Sequence, residues 1–499
     1  MRTNTYLIIG ALVVFALMLT GIQYTQEYRF FALESNHLFL YDATDLWNKL
    51  QQPGGTALVV ASFLSQFWCI PYVGTIMVAV CYLLIAFLFY LILRKKFPGI
   101  AMTGLSLIPL VFLYLCFEND YYRFQGHIAY LMFVVALWGY HSLLSRHWII
   151  RMCIGMGMVV GLYWLAGSVA VVFSITACLM ELLERKLRGW WSLSYIAVAF
   201  LVGFTFVRLS LVKDMESAFT PYMYYDWPST YFFPAYAWVI LPLLLLIACL
   251  LAKIPSDKVS PALLAVLGSV FAFYLAFNLY TKVHSHRGYR FLQEQYWADN
   301  GEWSRIIETA DRRTPTYLLS YLNLAMAEKE QLVGRYGQYN QQNPTQLLMW
   351  ADPHLKNGKR LLSKIYFSWG YVSEARQAAF DANLLTPGTC HPKELQVMIQ
   401  TNLVLGAYGV AEKYIALLEK TLYYKEWATS MRRFLSNDKA VSEDSVLGHL
   451  QASISPTSPY VRYESLLKDM KDILNANSSQ KILSQFYEVY SKSLKEDKQ

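Results

Sequence analysis

The chain has 499 residues, 55% of them hydrophobic and only 16% charged, far from the roughly one quarter of charged residues usual in a soluble domain. Its net charge of +8 divides into +5 over residues 1–282 and +3 over residues 283–499, which excludes the concentrated basic face of a nucleic-acid-binding protein. The 7 cysteines show no metal-ligand spacing, so neither a disulfide framework nor a zinc site is encoded.

Residues 1–282 carry 29 charges and residues 283–499 carry 49 in a shorter stretch, so two domains in different solvents are expected. Apolar runs near 5–22, 73–93, 100–117, 128–144, 148–165, 167–183, 190–208, 234–252 and 260–281 approach the ~20 residues that cross a hydrocarbon core. The reading is therefore all-α: a polytopic membrane helix bundle of about nine spans over 1–282, then a soluble tetratricopeptide-like α-solenoid. Residues 1–22 lack small cleavage residues after the apolar run, so they read as a span and not as a signal peptide. If the N-terminus is cytoplasmic, Arg94-Lys95-Lys96, Arg146 with Arg151, Arg185-Lys186-Arg188, and Lys253 with Lys258 all fall inside, as the positive-inside rule requires. An odd number of spans then makes the C-terminal half periplasmic and the protein an inner-membrane one.

The first outer loop, 23–72, is long and is expected to be structured. Gln51-Gln52-Pro53-Gly54-Gly55 suits a tight turn, and the apolar stretch 55–70, stopped by Pro71, reads as a re-entrant or interfacial helix. This loop carries Glu27, Arg29, Glu34, His37, Asp42 and Asp45. The next outer connection reads Glu118-Asn119-Asp120-Tyr121-Tyr122-Arg123-Phe124-Gln125-Gly126-His127, and the connection before the eighth span holds Arg208, Lys213, Asp214, Glu216, Tyr222, Tyr224, Tyr225, Asp226 and Trp227. Three loops on one surface supply carboxylates that can deprotonate an acceptor, cations that can neutralise a leaving phosphate, and aromatic faces that suit sugar rings. The candidate catalytic carboxylates are Glu34, Asp42 and Asp45. Glu118 and Asp120 could hold a divalent cation between hard oxygens, while Arg123 and His127 could contact phosphate, and Tyr224, Tyr225 and Trp227 could form a sugar- or lipid-contacting rim. His284 and His286 read as juxtamembrane polar residues without a role.

Past residue 283, Leu362, Tyr366, Gly370, Ala375, Ala379, Ala382 and Pro387 have tetratricopeptide-like spacing, and Gly406 with Ala411 repeats it 36 residues later. Trp297, Gly301 and Trp303-Ser304-Arg305-Ile306-Ile307 form an earlier degenerate copy. Such units stack because none buries its own face. A repeat domain over 283–436 is expected to offer a surface for a periplasmic peptide or protein, followed by a helical cap and tail over 437–499. No phosphate-cradling loop, His-Glu-x-x-His helix or Gly-x-Ser-x-Gly elbow occurs, leaving nucleotide-driven, zincin and hydrolase chemistry unsupported. Few charges fall within the spans, which argues against a transporter.

This layout resembles the multispanning glycosyltransferases of the GT-C type and, in its apolar half plus repeats, the transmembrane O-mannosyltransferases with lumenal tetratricopeptide repeats. The resemblance implies a polyprenyl-phosphate sugar donor, a catalytic acid among Glu34, Asp42 and Asp45, and a second acidic pair at Glu118 and Asp120. The segments Gln52-Pro53-Gly54-Gly55, Phe63-Leu64-Ser65-Gln66-Phe67 and Lys364-Ile365-Tyr366-Phe367-Ser368-Trp369-Gly370 look like a membrane family of Bacteroidota-type bacteria, which implies a cell-envelope setting. The alternative function is a non-catalytic scaffold, anchored by its spans, whose repeats recruit envelope proteins.

Overall fold

The computed structural model describes residues 2–93, 101–119, 121–143, 147–226, 233–251, 261–339, 341, 356–368, 370–386, 391–452 and 454. Asp120, Trp227, Pro387 and the basic residues Arg94-Lys95-Lys96, Arg146, Lys253 and Lys258 lie outside these described residues. The described chain is helical, its only strand-like feature an isolated antiparallel bridge between Tyr122 and Tyr225. It divides into two units: Met1–Glu34 with Asp42–Ser285, and Ser35–Tyr41 with His286–Gln499.

In the first unit, α1 spans Arg2–Asn36, 35 residues. Helix continues where the sequence predicts a loop from residue 23, because Ile22, Gln26, Arg29, Phe30 and Leu33 recur at three- and four-residue steps and are all buried, a stripe that only a helix presents to one neighbour. Glu34 therefore sits on a helix. Next come α2 (Ala43–Leu50), α3 (Gly55–Ser65), extended by a 3₁₀ turn Gln66–Cys69, and α4 (Val73–Leu93). The remaining helices are α5 (Ala101–Cys116), α6 (Gln125–Ser142), α7 (Trp148–Ala166), α8 (Val169–Arg185), α9 (Leu193–Arg208), α10 (Met215–Phe219), α11 (Phe233–Leu251) and α12 (Pro261–Val283). Helix α5 packs against both α11 and α12. A Cβ on Gly268 would lie only 3.2 Å from the Gly104 backbone, the close helix approach that small residues permit.

Among the described residues, four segments are long and apolar enough to cross a membrane: Val73–Leu93, Trp148–Ala166, Gly189–Arg208 and Val266–Val283. Shorter apolar helices cover Gly55–Cys69, Gly104–Cys116, Val169–Leu183 and Ala235–Ile247. Side chains such as Phe87, Phe200, Leu201 and Phe277 are more than half exposed on these helices. Water would penalise such a surface and hydrocarbon would not.

In the second unit, α13 (His286–Asp299) and α14 (Trp303–Thr309) are followed by α15 (Leu319–Glu328), α16 (Leu332–Arg335), α17 (Lys356–Ser368), α18 (Val372–Leu384), α19 (Pro392–Val404), α20 (Tyr408–Leu418), α21 (Lys425–Met431), α22 (Asp438–Glu443) and α23 (Leu447–Ala452). Gly301, Gly370 and Gly406 join α13 to α14, α17 to α18 and α19 to α20, each at φ between 70° and 79°. The residue after each glycine donates its N–H to a carbonyl five positions back: Glu302 to Trp297, Tyr371 to Tyr366, Ala407 to Asn402. That is the Schellman closure, which places left-handed backbone where glycine costs least. The three hairpins thus share one turn chemistry. Ala375, Ala379, Ala382 and Ala411 are buried, as close helix contact demands.

A buried polar network ties α13, α17 and α19 together. Arg360, 2% exposed, reaches Asp299 at 3.5 Å and Glu394 at 3.7 Å, while Lys364 meets Asp299 at 2.8 Å and Ser363 donates to Glu394 at 2.8 Å.

Candidate functional site

Within the membrane unit, three connections converge on a cavity of about 270 Å³ lined by Gln52 and Pro53, by Arg123 and Gln125, and by residues of 211–226. The first wall is set by Gly54 at φ 77°, whose N–H donates to the Trp164 carbonyl at 2.8 Å and whose own carbonyl accepts from Gln125 Nε2 at 3.0 Å. Gly167, at φ 87°, packs beside Gly54, and a Cβ on Gly167 would collide with Met223 Sδ. Two positive-φ positions side by side leave glycine as the residue that fits.

The 209–226 segment is fastened along its length. Tyr163 donates to Ala218 O at 2.6 Å, Ser168 to Thr220 O at 2.8 Å and Tyr224 to Ala166 O at 2.7 Å. Arg123 N–H donates to Tyr224 O at 2.9 Å and Asp226 N–H to Tyr121 O at 2.9 Å. The Arg123 side chain closes this clasp, with Nε 2.6 Å from Asp226 Oδ1 and a terminal nitrogen 3.4 Å from Tyr225 O.

The charges in the cavity have different commitments. Asp226 is held by Arg123. Asp214 caps α10, accepting from Ser217 N–H at 2.7 Å; that backbone bond, with Lys213 nearby, keeps its carboxyl below the usual range. Lys213 and Glu216 line the same cavity and are exposed. Among the described residues neither side chain has an ion pair, so one cation and one carboxylate remain available to a ligand.

The predicted residues separate. Glu118 is paired with Arg29 at 2.9 Å and His284 Nδ1 at 3.0 Å and accepts from Gln26 at 2.7 Å. Arg29 and Glu118 side chains are 4% and 1% exposed, so this carboxylate is the anion of a buried cluster and not a cavity-facing cation ligand. The structure also corrects His284, which the sequence left without a role. Glu34 is buried at 3%, Asp42 accepts from Thr44 and Asp45 N–H as the cap of α2, and Asp45 pairs with Lys49 four residues on, at 2.7 Å. None of the three lines the cavity. His127 is fully buried, stacked on Phe117 with centroids 4.6 Å apart and 3.0 Å from the Tyr82 hydroxyl. Tyr224 is framework, 1% exposed; of the expected site residues, Arg123 and Tyr225 reach the cavity. Among the described residues, no group of three or more His, Cys, Asp or Glu could hold a metal ion.

Sequence reading also missed a second buried pair. Arg151, expected in a cytoplasmic connection, lies on α7 at 1% exposure, paired with Glu181 of α8. Tyr140 donates to Glu181 at 2.6 Å and lies 2.9 Å from the Tyr195 hydroxyl, which donates to Arg151 O at 3.1 Å. The available signal was Glu181 itself, an acid inside the apolar run 167–183, which requires a cationic partner.

The family's profile matches residues 2–491. The chain belongs to the family described as a family of unknown function (DUF6057). No curated protein and no solved structure matches it.

Proposed function

We propose that the membrane unit is a GT-C-like glycosyltransferase of the inner membrane, moving a sugar from a polyprenyl-phosphate donor to a periplasmic acceptor, with its reaction centre in the 209–226 cavity. The observation that carries this reading is the presence of uncommitted Glu216 and Lys213 in one cavity whose other acids, Asp214 and Asp226, are engaged. Glu216 takes the proton of the acceptor hydroxyl while that oxygen bonds to the anomeric carbon. The anomeric carbon–oxygen bond to phosphate breaks, its electron pair leaves on the phosphate oxygen, and Lys213 neutralises the departing lipid phosphate. Tyr222 and Tyr225 supply aromatic faces for the sugar. The reading adopts nine spans, a cytoplasmic N-terminus and a periplasmic helical unit, supported by the Lys/Arg asymmetry of the connections.

The test is sugar transfer by the full-length protein in proteoliposomes supplied with a panel of radiolabelled polyprenyl-phosphate sugars. Glu216→Gln is expected to lower the rate by about 100-fold or more, and Asp42→Asn to leave it unchanged. Wild-type rates in Glu216→Gln would move the centre elsewhere, and no transfer from any donor by the wild type would end the reading. A second reading, a membrane-anchored tetratricopeptide-like scaffold recruiting envelope proteins, is favoured by the shared turn chemistry at Gly301, Gly370 and Gly406.

A further inference from the structure

Helix α9 ends a 20-residue apolar segment, Gly189–Arg208, of the length that crosses a hydrocarbon core. Phe200, Leu201 and Phe204 are exposed along it. At its end the Arg208 guanidinium carbon lies 5.1 Å from the centre of the Phe204 ring, and among the described residues Arg208 has no ion pair. A cation that closes an apolar span and lies over an aromatic ring is placed for the phosphate layer of a bilayer.

A connection entering water at this point would turn polar on its outer side. Here the next residues expose Leu209 at 62%, Leu211 at 37% and Met215 at 43%. The backbone folds back on the helix end: Ser210 N–H donates to Val207 O at 3.0 Å and Leu211 N–H to Phe206 O at 2.9 Å. That is a Schellman closure, with Ser210 at φ 56° in the left-handed position that glycine fills at least cost. The reversal holds both leucines at the end of α9, while Val212 turns inward and is buried. Water penalises three apolar side chains on one short turn; the boundary of a bilayer, which the exposed face of α9 already meets, does not.

We propose that residues 208–215 form a lip immersed in the headgroup layer of the bilayer, with Leu209, Leu211 and Met215 among the upper acyl chains and Arg208 on lipid phosphate. The charges of the lip fit that partner. Asp214 is engaged as the cap of α10 and Glu216 lines the cavity, which leaves Arg208 as the cation for phosphodiester groups. Leu211 and Lys213 also line the cavity, so its rim lies at headgroup depth, and a ligand whose chain stays in the bilayer reaches it sideways. The lip follows from exposure, backbone and charge, whichever reaction the cavity performs.

Photolabelling of the wild-type, full-length protein in phosphatidylcholine vesicles tests it, the probe being a phosphatidylcholine with a diazirine near the top of one acyl chain. Adducts mapped by mass spectrometry are expected over 209–215 at a yield within about 3-fold of that over 193–207. The same yield is expected to exceed by about 10-fold or more that over 419–423 of the helical unit, where Leu422 is 46% exposed. A yield over 209–215 nearer to that of 419–423 would put the turn in water or against a partner protein and overturn the proposal. So would the absence of label from 193–207, because the lip continues that face. The readout involves no sugar transfer, so a failure of the lip and a failure of the transferase reading are told apart, and no variant has to fold.

Discussion

Arg123 and Asp226, 103 residues apart in sequence, meet at 2.6 Å between Nε and Oδ1, and around that contact the 209–226 segment is sewn to Tyr121 and Arg123 by two backbone bonds. The pair is 27% and 11% exposed at its side chains, between the surface regime, where ion pairs contribute little, and the buried regime, where breaking one is costly. Arg123→Met is expected to destabilise the membrane unit by about 1–3 kcal/mol. Adding Asp226→Leu should recover part of that loss, because the stranded carboxylate goes with it. Thermal unfolding of the single and double variants in detergent measures the coupling.

Glu118→Gln removes the anion shared by Arg29 and His284. With Arg29 at 4% exposure, the expected cost is about 3 kcal/mol or more, read as a lowered melting temperature and reduced yield of folded protein. Gln26 keeps a partner in the new amide, so Glu118→Ala should be worse. A catalytic role alone would have left the melting temperature untouched.

Gly54→Ala places a Cβ at φ 77° and 3.1 Å from Gln125 Nε2. The left-handed backbone alone costs about 1–2 kcal/mol, and Gln125, itself buried, must shift from the Gly54 carbonyl it bonds. The expected result is a lower melting temperature and faster proteolysis within 209–226, since the wall that segment packs on has moved.

The helical unit should lose stability as pH rises through neutrality. Burial pushes the carboxyls of Glu294 and Glu394 up to about 7, against the pull of Arg290 and Arg360 respectively. In the unfolded chain both return toward 4.5, so between those values the folded state binds more protons and stability falls with increasing pH. Their contribution is complete below about pH 4.5 and gone above about pH 7. Exchange over 286–299 and 392–404, corrected for the intrinsic rate, should be faster at pH 8 than at pH 5.5. Glu394→Gln, neutral at every pH, should flatten that dependence over 392–404.

Much of the helical layout is legible in the sequence because hydrophobic runs and left-handed glycines are local signals: the apolar stretch at 73–93 and the turns at Gly370 and Gly406 fall where spacing puts them. What spacing cannot supply is partnership. Glu118 and Arg123 are five positions apart in one connection, yet the first turns into a buried cluster with Arg29 and His284 while the second faces the cavity with Asp226. A carboxylate's availability depends on which cation arrives from another helix, and that is settled by tertiary packing. Asp42 and Asp45 illustrate the local case, since a cap and an i,i+4 pair can be foreseen from neighbours alone. The end of α1 was misplaced because its polar residues suggested loop, whereas Gln26 and Arg29 are polar on the buried stripe.

The 35 residues of α1 form an unbroken rod, about 52 Å long at 1.5 Å per residue, with Arg29 fixed to Glu118 near one end. Length changes in such a rod carry a phase. Removing a single residue among 23–25 would turn everything upstream by about 100° relative to Arg29, carrying Ile22 off its buried face. Adding seven would return the stripe to within about 20° of its starting direction, at the expense of pushing the N-terminal end two turns further along. Relatives with altered spacing in this region should therefore differ by near-whole turns, with single-residue steps confined to the extended stretch between Asn36 and Asp42.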